Sequence, residues 1–380
     1  MKKKIEQILK TNSFFNKLYT FLGSFLVKCI GLFVSKNPKT ILFVSYMGKN
    51  FNDSPKMIYD SLVADPYFKD YTFIWAFNHT DKYKINEKNT KIVKMDSFKY
   101  LITALRAEYW ITNVNIERGL HFKKKYTKSI NTWHGIPLKK VGNDVRGRSD
   151  FDFSNTNLFS YSGNYEYQIY KEAFNLTDEN LYKLGMPRND IIIEDNPQTR
   201  KKIIEEYNIQ DKKIILYAPT WRDNPKDLEL MDLKKWKEAL SDQYVLCLKA
   251  HGLSEQFNIK DDDFVIDVSD YEETSELIIA ADILITDYSS IMFDFSLTSK
   301  PIFIYVPDYD KYRKERGLYF DLMKSDLNVF ENAQILLDYI QIFDEDKERI
   351  ISKKFREKYN EVNTPNATNK IISLVKEGEL

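Results

Sequence analysis

Hydrophobic residues along the chain alternate between two spacings, one typical of buried strands and the other typical of helices. Short runs rich in β-branched and aromatic residues end in turn signals, as strands do. The first series of predicted strands covers Thr40–Tyr46, Tyr71–Ala76, Lys91–Lys94, Tyr109–Thr112 and Ser129–Trp133. The second series covers Lys213–Ala218, Tyr244–Lys249, Phe264–Ile266, Ile283–Thr286 and Pro301–Tyr305.

Predicted helices separate many of these strands. They cover Lys56–Val63, Phe98–Ala107, Asp232–Leu240, Glu272–Ala280 and Ser289–Leu297, and the last stretch, Asn332–Glu377, is predicted to be helical. Because strands and helices alternate, we expect parallel sheets covered by helices, the α/β class. Two such series in 380 residues predict two Rossmann-like domains that face each other across a cleft.

The N-terminal segment has a different character from the rest of the chain. Residues 1–40 hold eight lysines and one acid, Glu6, a charge of +7, whereas the whole chain has 56 basic and 56 acidic residues. An apolar run over residues 18–34 is interrupted by Lys28 and is shorter than the ~20 residues of a spanning helix. We interpret residues 1–36 as an amphipathic helix at a membrane interface. A helix docked on the protein's own surface and a true span are the alternatives.

Composition narrows the class of protein. The absence of net charge disfavours a globally basic nucleic-acid-binding protein. The two cysteines, Cys29 and Cys247, stand far apart, which excludes a disulfide scaffold and a cysteine zinc site. The fingerprints GxGxxG, GxxxxGK[ST], HExxH and GxSxG do not occur in the sequence. Acidic clusters at 261–263 and 308–310 are interpreted as solvated loop acids, so no metal site is predicted.

Two of the four histidines occupy matching positions in the two series. His134 and His251 each follow a predicted strand and precede a glycine. Ligands of open α/β sheets bind beyond the carboxyl ends of the strands, and imidazole suits proton transfer near neutral pH. The pair therefore predicts catalytic groups in the cleft, with structural hydrogen bonding as the alternative.

A second candidate lies in the segment TDYSSIMFD, residues 286–294. It follows a predicted strand and opens a predicted helix, which places Ser289 and Ser290 at a helix N-terminus. Free N–H groups and the helix dipole attract anions there, so the segment predicts phosphate binding. Simple capping of the helix by Asp287 or a serine is the alternative.

Basic residues cluster near these candidates. Arg188, Arg222 and Arg316 lie in predicted loops, and a guanidinium suits bidentate phosphate contacts, although such arginines also form surface ion pairs. Residues 118–148 hold nine basic residues and one acid around His134. An anionic substrate fits this distribution better than a merely solvated face does.

Five motifs occur in one order: NTWHGIPLK at 131–139, YAPTWR at 217–222, LKAHG at 248–252, LITDYSSIMFD at 284–294 and RGLYFD at 316–321. Together they resemble the CDP-glycerol glycerophosphotransferase family of teichoic acid primases and polymerases, over about residues 41–321. The resemblance implies a fold of GT-B type, with the acceptor bound mainly by the first domain and a CDP-alditol by the second. It also implies transfer of glycerol phosphate, or of ribitol phosphate in some members, with release of CMP.

The residue patterns and the resemblance together give the predicted site residues and domain roles. The predicted site consists of catalytic His134 and His251, donor-binding Ser289, Ser290, Arg316, Arg222 and Asp287, and acceptor-side Gly48, Asn52, Asp53 and Gly135. The predicted domains are a membrane-interface helix at 1–36, an acceptor-side domain at 37–186, a CDP-alditol-binding domain at 187–345 and C-terminal helices at 346–380. No cofactor is predicted beyond CDP-glycerol as donor substrate.

The predicted function is transfer of glycerol phosphate from CDP-glycerol to a membrane-linked glycan. His134 is the expected general base, and His251 is expected to stabilise charge at the pyrophosphate. The expected acceptor is a polyprenyl-diphosphate-linked glycan at the cytoplasmic face of an anionic membrane, and the chain length favours a primase. A glycerol- or ribitol-phosphate polymerase, a nucleotide-sugar glycosyltransferase and a non-catalytic nucleotide-binding membrane module are the alternatives.

Overall fold

Two parallel β-sheets form the frame of the computed structural model, which describes residues 13–209, 211–220, 231–250 and 262–380. The first sheet contains β1 (Asn37–Val44), β2 (Thr72–Phe77), β3 (Thr90–Lys94), β4 (Ala107–Thr112), β5 (Lys128–Asn131), β6 (Leu158–Tyr161) and β7 (Leu181–Lys183), in the order β3-β2-β1-β4-β5-β6-β7. The second contains β8 (Lys213–Ala218), β9 (Tyr244–Leu248), β10 (Val265–Asp267), β11 (Ile283–Thr286), β12 (Ile302–Tyr305) and β13 (Asn328–Phe330), in the order β10-β9-β8-β11-β12-β13. Every pairing between these neighbouring strands is parallel.

Helices connect the strands and cover the sheets. They are α1 (Ser13–Leu32), α2 (Asp53–Ala64), α3 (Phe98–Arg106), α4 (Asn164–Phe174), α5 (Asp190–Glu194), α6 (Pro197–Glu206), α7 (Leu233–Leu240), α8 (Thr274–Ala280), α9 (Ile291–Ser296), α10 (Tyr309–Arg316), α11 (Ala333–Ile342), α12 (Glu345–Tyr359) and α13 (Ala367–Glu377). The α/β class with parallel sheets is confirmed. The strands β6, β7 and β13 were not predicted, because each contains only three or four residues and so carries little hydrophobic pattern. Helices α4, α5, α6 and α10 were not predicted either.

Several predicted elements end earlier or begin later than expected, and two of these shifts affect candidate site residues. The strand predicted to reach Trp133 ends at Asn131, whose side-chain Oδ1 accepts a hydrogen bond from the Trp133 N–H at 2.9 Å. The helix predicted over Ser289–Leu297 contains only the six residues of α9. Ser289 and Ser290 therefore lie in the turn before the helix. Both shifts lengthen a loop at the carboxyl end of a sheet.

The core of the first sheet is aromatic and includes the last helix of the chain. Phe43 of β1 stacks on Trp75 of β2 with ring centroids 5.1 Å apart. Ile371 and Val375 of α13 are buried in the same cluster as Phe43 and Ile41. The chain thus returns to the first sheet after completing the second.

Helix α1 docks on the protein through its small residues. The Thr20 hydroxyl donates to the Gly119 carbonyl at 3.3 Å, and the Ser24 hydroxyl accepts the His121 N–H at 2.9 Å. The outer face is apolar and exposed, with fractional exposures of 42% to 68% for Leu18, Phe21, Leu22, Phe25 and Leu26. Among the described residues, no helix has both the length and the apolar character needed to cross a membrane.

Candidate active site

A cavity of about 240 Å³ opens at the carboxyl ends of strands from both sheets. Its walls come from segments that follow β1, β5 and β7 in the first sheet and β8, β9, β10 and β11 in the second. The lining residues are Tyr46, Asn52, Asp53, His134, Arg188, Ala218, Pro219, Lys249, Glu272, Glu273, Thr274, Ser275, Ile278, Ser289, Ser290, Ile291 and Asp294. Since ligands of open α/β sheets bind at this edge, the cavity is the candidate active site.

His134 enters the cavity as an oriented, neutral imidazole. Its Nδ1 lies 2.7 Å from the carbonyl oxygen of Asn113, so Nδ1 carries the proton and donates it. This hydrogen bond leaves the lone pair on Nε2. Burial lowers the pKa of His134 below its ordinary value, although the Asn113 carbonyl and the nearby Asp53 carboxylate oppose that shift. The neutral ring can therefore accept a proton at neutral pH.

The segment after β1 lines the cavity together with His134, and several of its residues adopt a rare backbone conformation. Tyr46 and Met47 have φ of 44° and 57°, and Asp53 has φ of 65°. The Tyr46 hydroxyl donates to Asp53 Oδ2 at 2.7 Å, and the Tyr46 N–H donates to the Asn113 side chain at 2.9 Å. Asn113 thus fixes both His134 and Tyr46. Such left-handed residues persist only where their surroundings determine the conformation, and they concentrate at functional sites.

Arg188 joins the two halves of the cavity wall. Its guanidinium donates to Asp53 Oδ2 in α2 and to Asp294 Oδ2 in α9, both at 2.7 Å. All three side chains are nearly buried, with exposures of 11%, 5% and 8% for Arg188, Asp53 and Asp294. Burial alone would raise the pKa of Asp53, but Arg188 holds it below the ordinary value, whereas burial raises the pKa of Asp294. Asn189 donates a further hydrogen bond to Asp294 at 3.0 Å.

Gly135 brings the histidine loop against the serines of the second sheet. A Cβ atom at Gly135 would lie 2.7 Å from Ser290 Oγ, and the backbone φ of 145° is one that side chains rarely adopt. Only glycine allows this approach. Ser289 Oγ accepts the Ile291 N–H at 3.3 Å, while Ser290 is the N-cap residue of α9 without a side-chain capping bond. Ser290 therefore faces the cavity and the backbone after His134.

Other predicted site residues lie away from the cavity lining. Gly48 has φ of 77° and a Cβ there would lie 3.0 Å from the Ala76 carbonyl, so its role concerns the backbone turn. Asp287 is buried and accepts the Thr220 N–H at 2.8 Å and the Tyr288 N–H at 2.6 Å, beneath the loop after β8. Arg316 is exposed at the end of α10. His251 and Arg222 lie outside the described residues.

Several lining residues were not predicted as part of the site. Arg188 stood out as a loop arginine, but its carboxylate partners are 135 and 106 residues away in the chain. Lys249 lies two positions before His251 in the LKAHG motif, and burial lowers its pKa to about 8. Burial also raises the pKa of Glu273 to about 7. In the described part of the chain, no group of three His, Cys, Asp or Glu side chains could hold a metal ion.

Parallel sheets with an imidazole and hydroxyl groups at their carboxyl edge form an arrangement suited to ligand binding and to proton transfer, as enzymes of the α/β class use it. A family model described as CDP-Glycerol:Poly(glycerophosphate) glycerophosphotransferase matches residues 26–377, and the chain belongs to this family of enzymes. The family description names CDP-glycerol as the donor.

Relatives of different lengths share this region. A teichoic acid glycerol-phosphate transferase of Staphylococcus aureus is 32% identical over 89% of this chain and 93% of its own length. A teichoic acid poly(glycerol phosphate) polymerase of Staphylococcus epidermidis is 36% identical over 76% of this chain, which spans 43% of that relative. The solved structure of the wall teichoic acid polymerase TagF superposes with a TM-score of 0.81 at 32% identity, covering 90% of each chain. A variant of TagF has also been solved after a soak with CDPG.

Proposed function

We propose that this protein transfers glycerol phosphate from CDP-glycerol to a hydroxyl group of a membrane-linked glycan and releases CMP. The acceptor oxygen forms a bond to the phosphorus that carries glycerol, and the bond from that phosphorus to the bridging oxygen of CMP breaks. The acceptor proton passes to Nε2 of His134. The observation that carries this proposal is the neutral imidazole, oriented by the Asn113 carbonyl at 2.7 Å, in one cavity with Ser289 and Ser290.

The two walls of the cavity suit the two substrates. Ser289 and Ser290 supply hydroxyl groups and backbone N–H groups for the donor diphosphate, on the second sheet. Asn52 and Asp53 line the wall beside His134, where the acceptor hydroxyl has to lie. Arg222, Arg316 and Asp287 are further donor-side candidates and His251 a second catalytic candidate, from the motif resemblance. Gly48 and Gly135 shape the acceptor side through their backbones.

We further propose that the two sheets mark two Rossmann-like domains of GT-B type, over residues 37–186 and 187–345. Each sheet has its own strand order and its own hydrophobic clusters. Residues 346–380 form C-terminal helices that extend back to the first sheet through α13. Substrates held on separate domains would meet in the cavity between them.

The acceptor is proposed to be a polyprenyl-diphosphate-linked glycan at the cytoplasmic face of the membrane. Support comes from α1, whose outer face exposes large apolar side chains that include Leu18, Phe21 and Phe25, and from the eight lysines among residues 1–40. An apolar face with basic flanks is typical of an interfacial helix. An enzyme held at the membrane surface encounters a lipid-linked acceptor more often.

The decisive experiment incubates purified protein with CDP-glycerol and a lipid-linked disaccharide and measures CMP release and product mass. One or a few added units support a primase, the function that we favour. A ladder of many units supports a polymerase, the second candidate, which the similarity to polymerases from Staphylococcus and to TagF favours. Absence of CMP release, with release of a nucleoside diphosphate from a sugar donor instead, contradicts the proposal.

A further inference from the structure

Three half-buried lysines differ in the hydrogen bonds that their ammonium groups form. An ammonium has three N–H donors. Lys300 donates to the carbonyls of Ile279 and Ala281, both at 2.8 Å, and Lys124 likewise donates to two carbonyls at the end of α1. Lys249 donates to one carbonyl, that of Tyr271 at 2.8 Å. Within the described residues, Lys249 thus keeps two donors for another partner.

The position of Lys249 directs those donors to the cavity. Lys249 directly follows β9 and lines the cavity together with Ser289 and Ser290, whereas Lys300 does not line it. The backbone N–H of Lys249 donates to the Tyr217 carbonyl at 2.8 Å, and the next N–H, of Ala250, donates to Ser269 Oγ at 2.9 Å. The side chain therefore projects from a fixed backbone at the carboxyl edge of the second sheet.

The two cations of the described cavity lining differ in their charge partners. Arg188, the other cation in the described lining, is matched by two carboxylates at 2.7 Å. Lys249 forms no ion pair within the described part of the chain, and the carboxylates of Asp267 and Asp270 act on it only from a distance. A buried cation without a partner is costly, and burial lowers the pKa of Lys249 to about 8. An anion in the cavity would remove this cost.

We propose that Lys249 binds the diphosphate of the nucleotide-linked donor, beside Ser289 and Ser290. This inference rests on the proposed function, since it takes the donor to be CDP-glycerol. The two N–H donors that have no acceptor among the described residues, together with one positive charge, match phosphate oxygens, which are strong charged acceptors. The same contact stabilises the negative charge that grows on CMP as the phosphorus–oxygen bond breaks.

The test measures binding of CDP, CMP and inorganic phosphate by calorimetry to the wild-type protein and three variants. Lys249→Met should weaken CDP binding by about 10–100-fold, the range for loss of a charged hydrogen bond. Lys249→Arg should restore most of the affinity, because it restores the charge and the donors. Lys300→Met is the matched control, because it removes a buried lysine outside the cavity, and its CDP affinity should stay within about 2-fold of wild type.

A second measurement needs no variant and guards against misfolding. Acetylation of the wild-type protein by an amine-reactive ester, followed by peptide mass spectrometry, should show that CDP protects Lys249 and leaves modification of Lys300 unchanged. If inorganic phosphate protects as well as CDP at equal concentration, Lys249 binds a free anion and the donor assignment is overturned.

The outcomes separate this inference from the proposed function. If wild type binds CDP and Lys249→Met binds it equally, only the role of Lys249 is overturned. If wild type binds no CDP at concentrations that saturate turnover with CDP-glycerol, the diphosphate assignment of Lys249 is overturned while the transfer reaction stands. If wild type neither binds CDP nor turns over CDP-glycerol, both fail.

Discussion

The two walls of the cavity are built differently, although both lie at the carboxyl edge of a parallel sheet. On the first wall, Tyr46, Asp53 and His134 are each held by hydrogen bonds at 2.9 Å or less. On the second wall, the Ser290 side chain forms no capping hydrogen bond, and Lys249 donates one hydrogen bond to a backbone carbonyl. The side chains of the first wall are thus held in place by hydrogen bonds within the protein. The described residues of the second wall include polar groups that can still form hydrogen bonds to a ligand.

This difference matches the roles that we propose for the two walls. A general base contributes only when its tautomer and orientation are set in advance, which the Asn113 carbonyl does for His134. A phosphate-binding wall instead keeps donors that the protein itself does not satisfy, so that the ligand completes them. The five predictions that follow test the contrast, from the largest expected effect to the smallest.

Removing the proposed general base should have the largest effect. His134→Ala is expected to lower kcat by about 10²–10⁴-fold with little change in the melting temperature, because we propose that the imidazole takes the acceptor proton. The decrease in kcat for His251→Ala is expected to lie in the same range. His79→Ala, an exposed histidine, is the control. A near-normal kcat in His134→Ala would show that this residue has a structural role only. It would also contradict the proposed difference in function between the two walls.

Breaking the link between the walls should destabilise the protein. Arg188→Met leaves the buried carboxylates of Asp53 and Asp294 without their cation, and we expect the free energy of unfolding to fall by about 3–5 kcal/mol. Arg200→Met is the matched control, since Arg200 pairs with the half-exposed Asp282 at 2.9 Å. Denaturant titration measures both. If both variants lose the same free energy of unfolding, burial of the Arg188 ion pairs makes no additional contribution to stability.

Closing the gap between the walls should impair turnover. Gly135→Ala places a methyl group 2.7 Å from Ser290 Oγ, and we expect kcat to fall by about 10-fold or more. In the double variant with Ser290→Ala, part of this loss should be recovered, because the clashing oxygen is gone. Ser290→Ala alone should raise the KM for CDP-glycerol by about 3–10-fold. Strict additivity of the two changes would contradict the contact.

The pH dependence of kcat should follow the titration of His134 on the first wall. His134 must be neutral to accept a proton, so activity is lost as pH falls through its pKa. Since burial lowers that pKa from 6.5, the acid limb should lie below pH 6.5. Three charged groups act on the imidazole, Asp53 raising its pKa and Arg188 and Lys139 lowering it. A limb above pH 6.5 that persists in His134→Ala would assign it to another group.

Changes on α1 should leave both walls untouched. Deleting residues 1–36 should abolish flotation with anionic vesicles but change CDP affinity by less than about 2-fold. Binding should weaken in high salt, because each lysine near the surface contributes about 1 kcal/mol of screened attraction. A milder test compares the vesicle flotation of two variants, Phe25→Ser on α1 and Ile335→Ser on α11. The two side chains are similarly exposed, at 62% for Phe25 and 61% for Ile335. If the truncated protein floats equally well, the membrane contact lies elsewhere, and the basic stretch 118–148 becomes the candidate.

The sequence by itself determined the class of fold and most of its elements. Strands β8 and β11 were predicted to the residue, since a buried parallel strand is a short, continuous apolar run that local pattern reveals. The five motifs also identified the family, and they pointed to His134 and to the serines before α9. These signals are local, because each is contained within about ten neighbouring residues.

Only the tertiary structure decided how those segments meet. It showed that Arg188 joins Asp53 to Asp294, that Gly135 approaches Ser290, and that Lys249 lines the same cavity. Burial and ion pairing are properties of the folded arrangement, so partners separated by more than 100 residues leave no periodic signal in the chain. A motif can therefore indicate a candidate catalytic residue, but the protonation and the neighbours of that residue depend on packing.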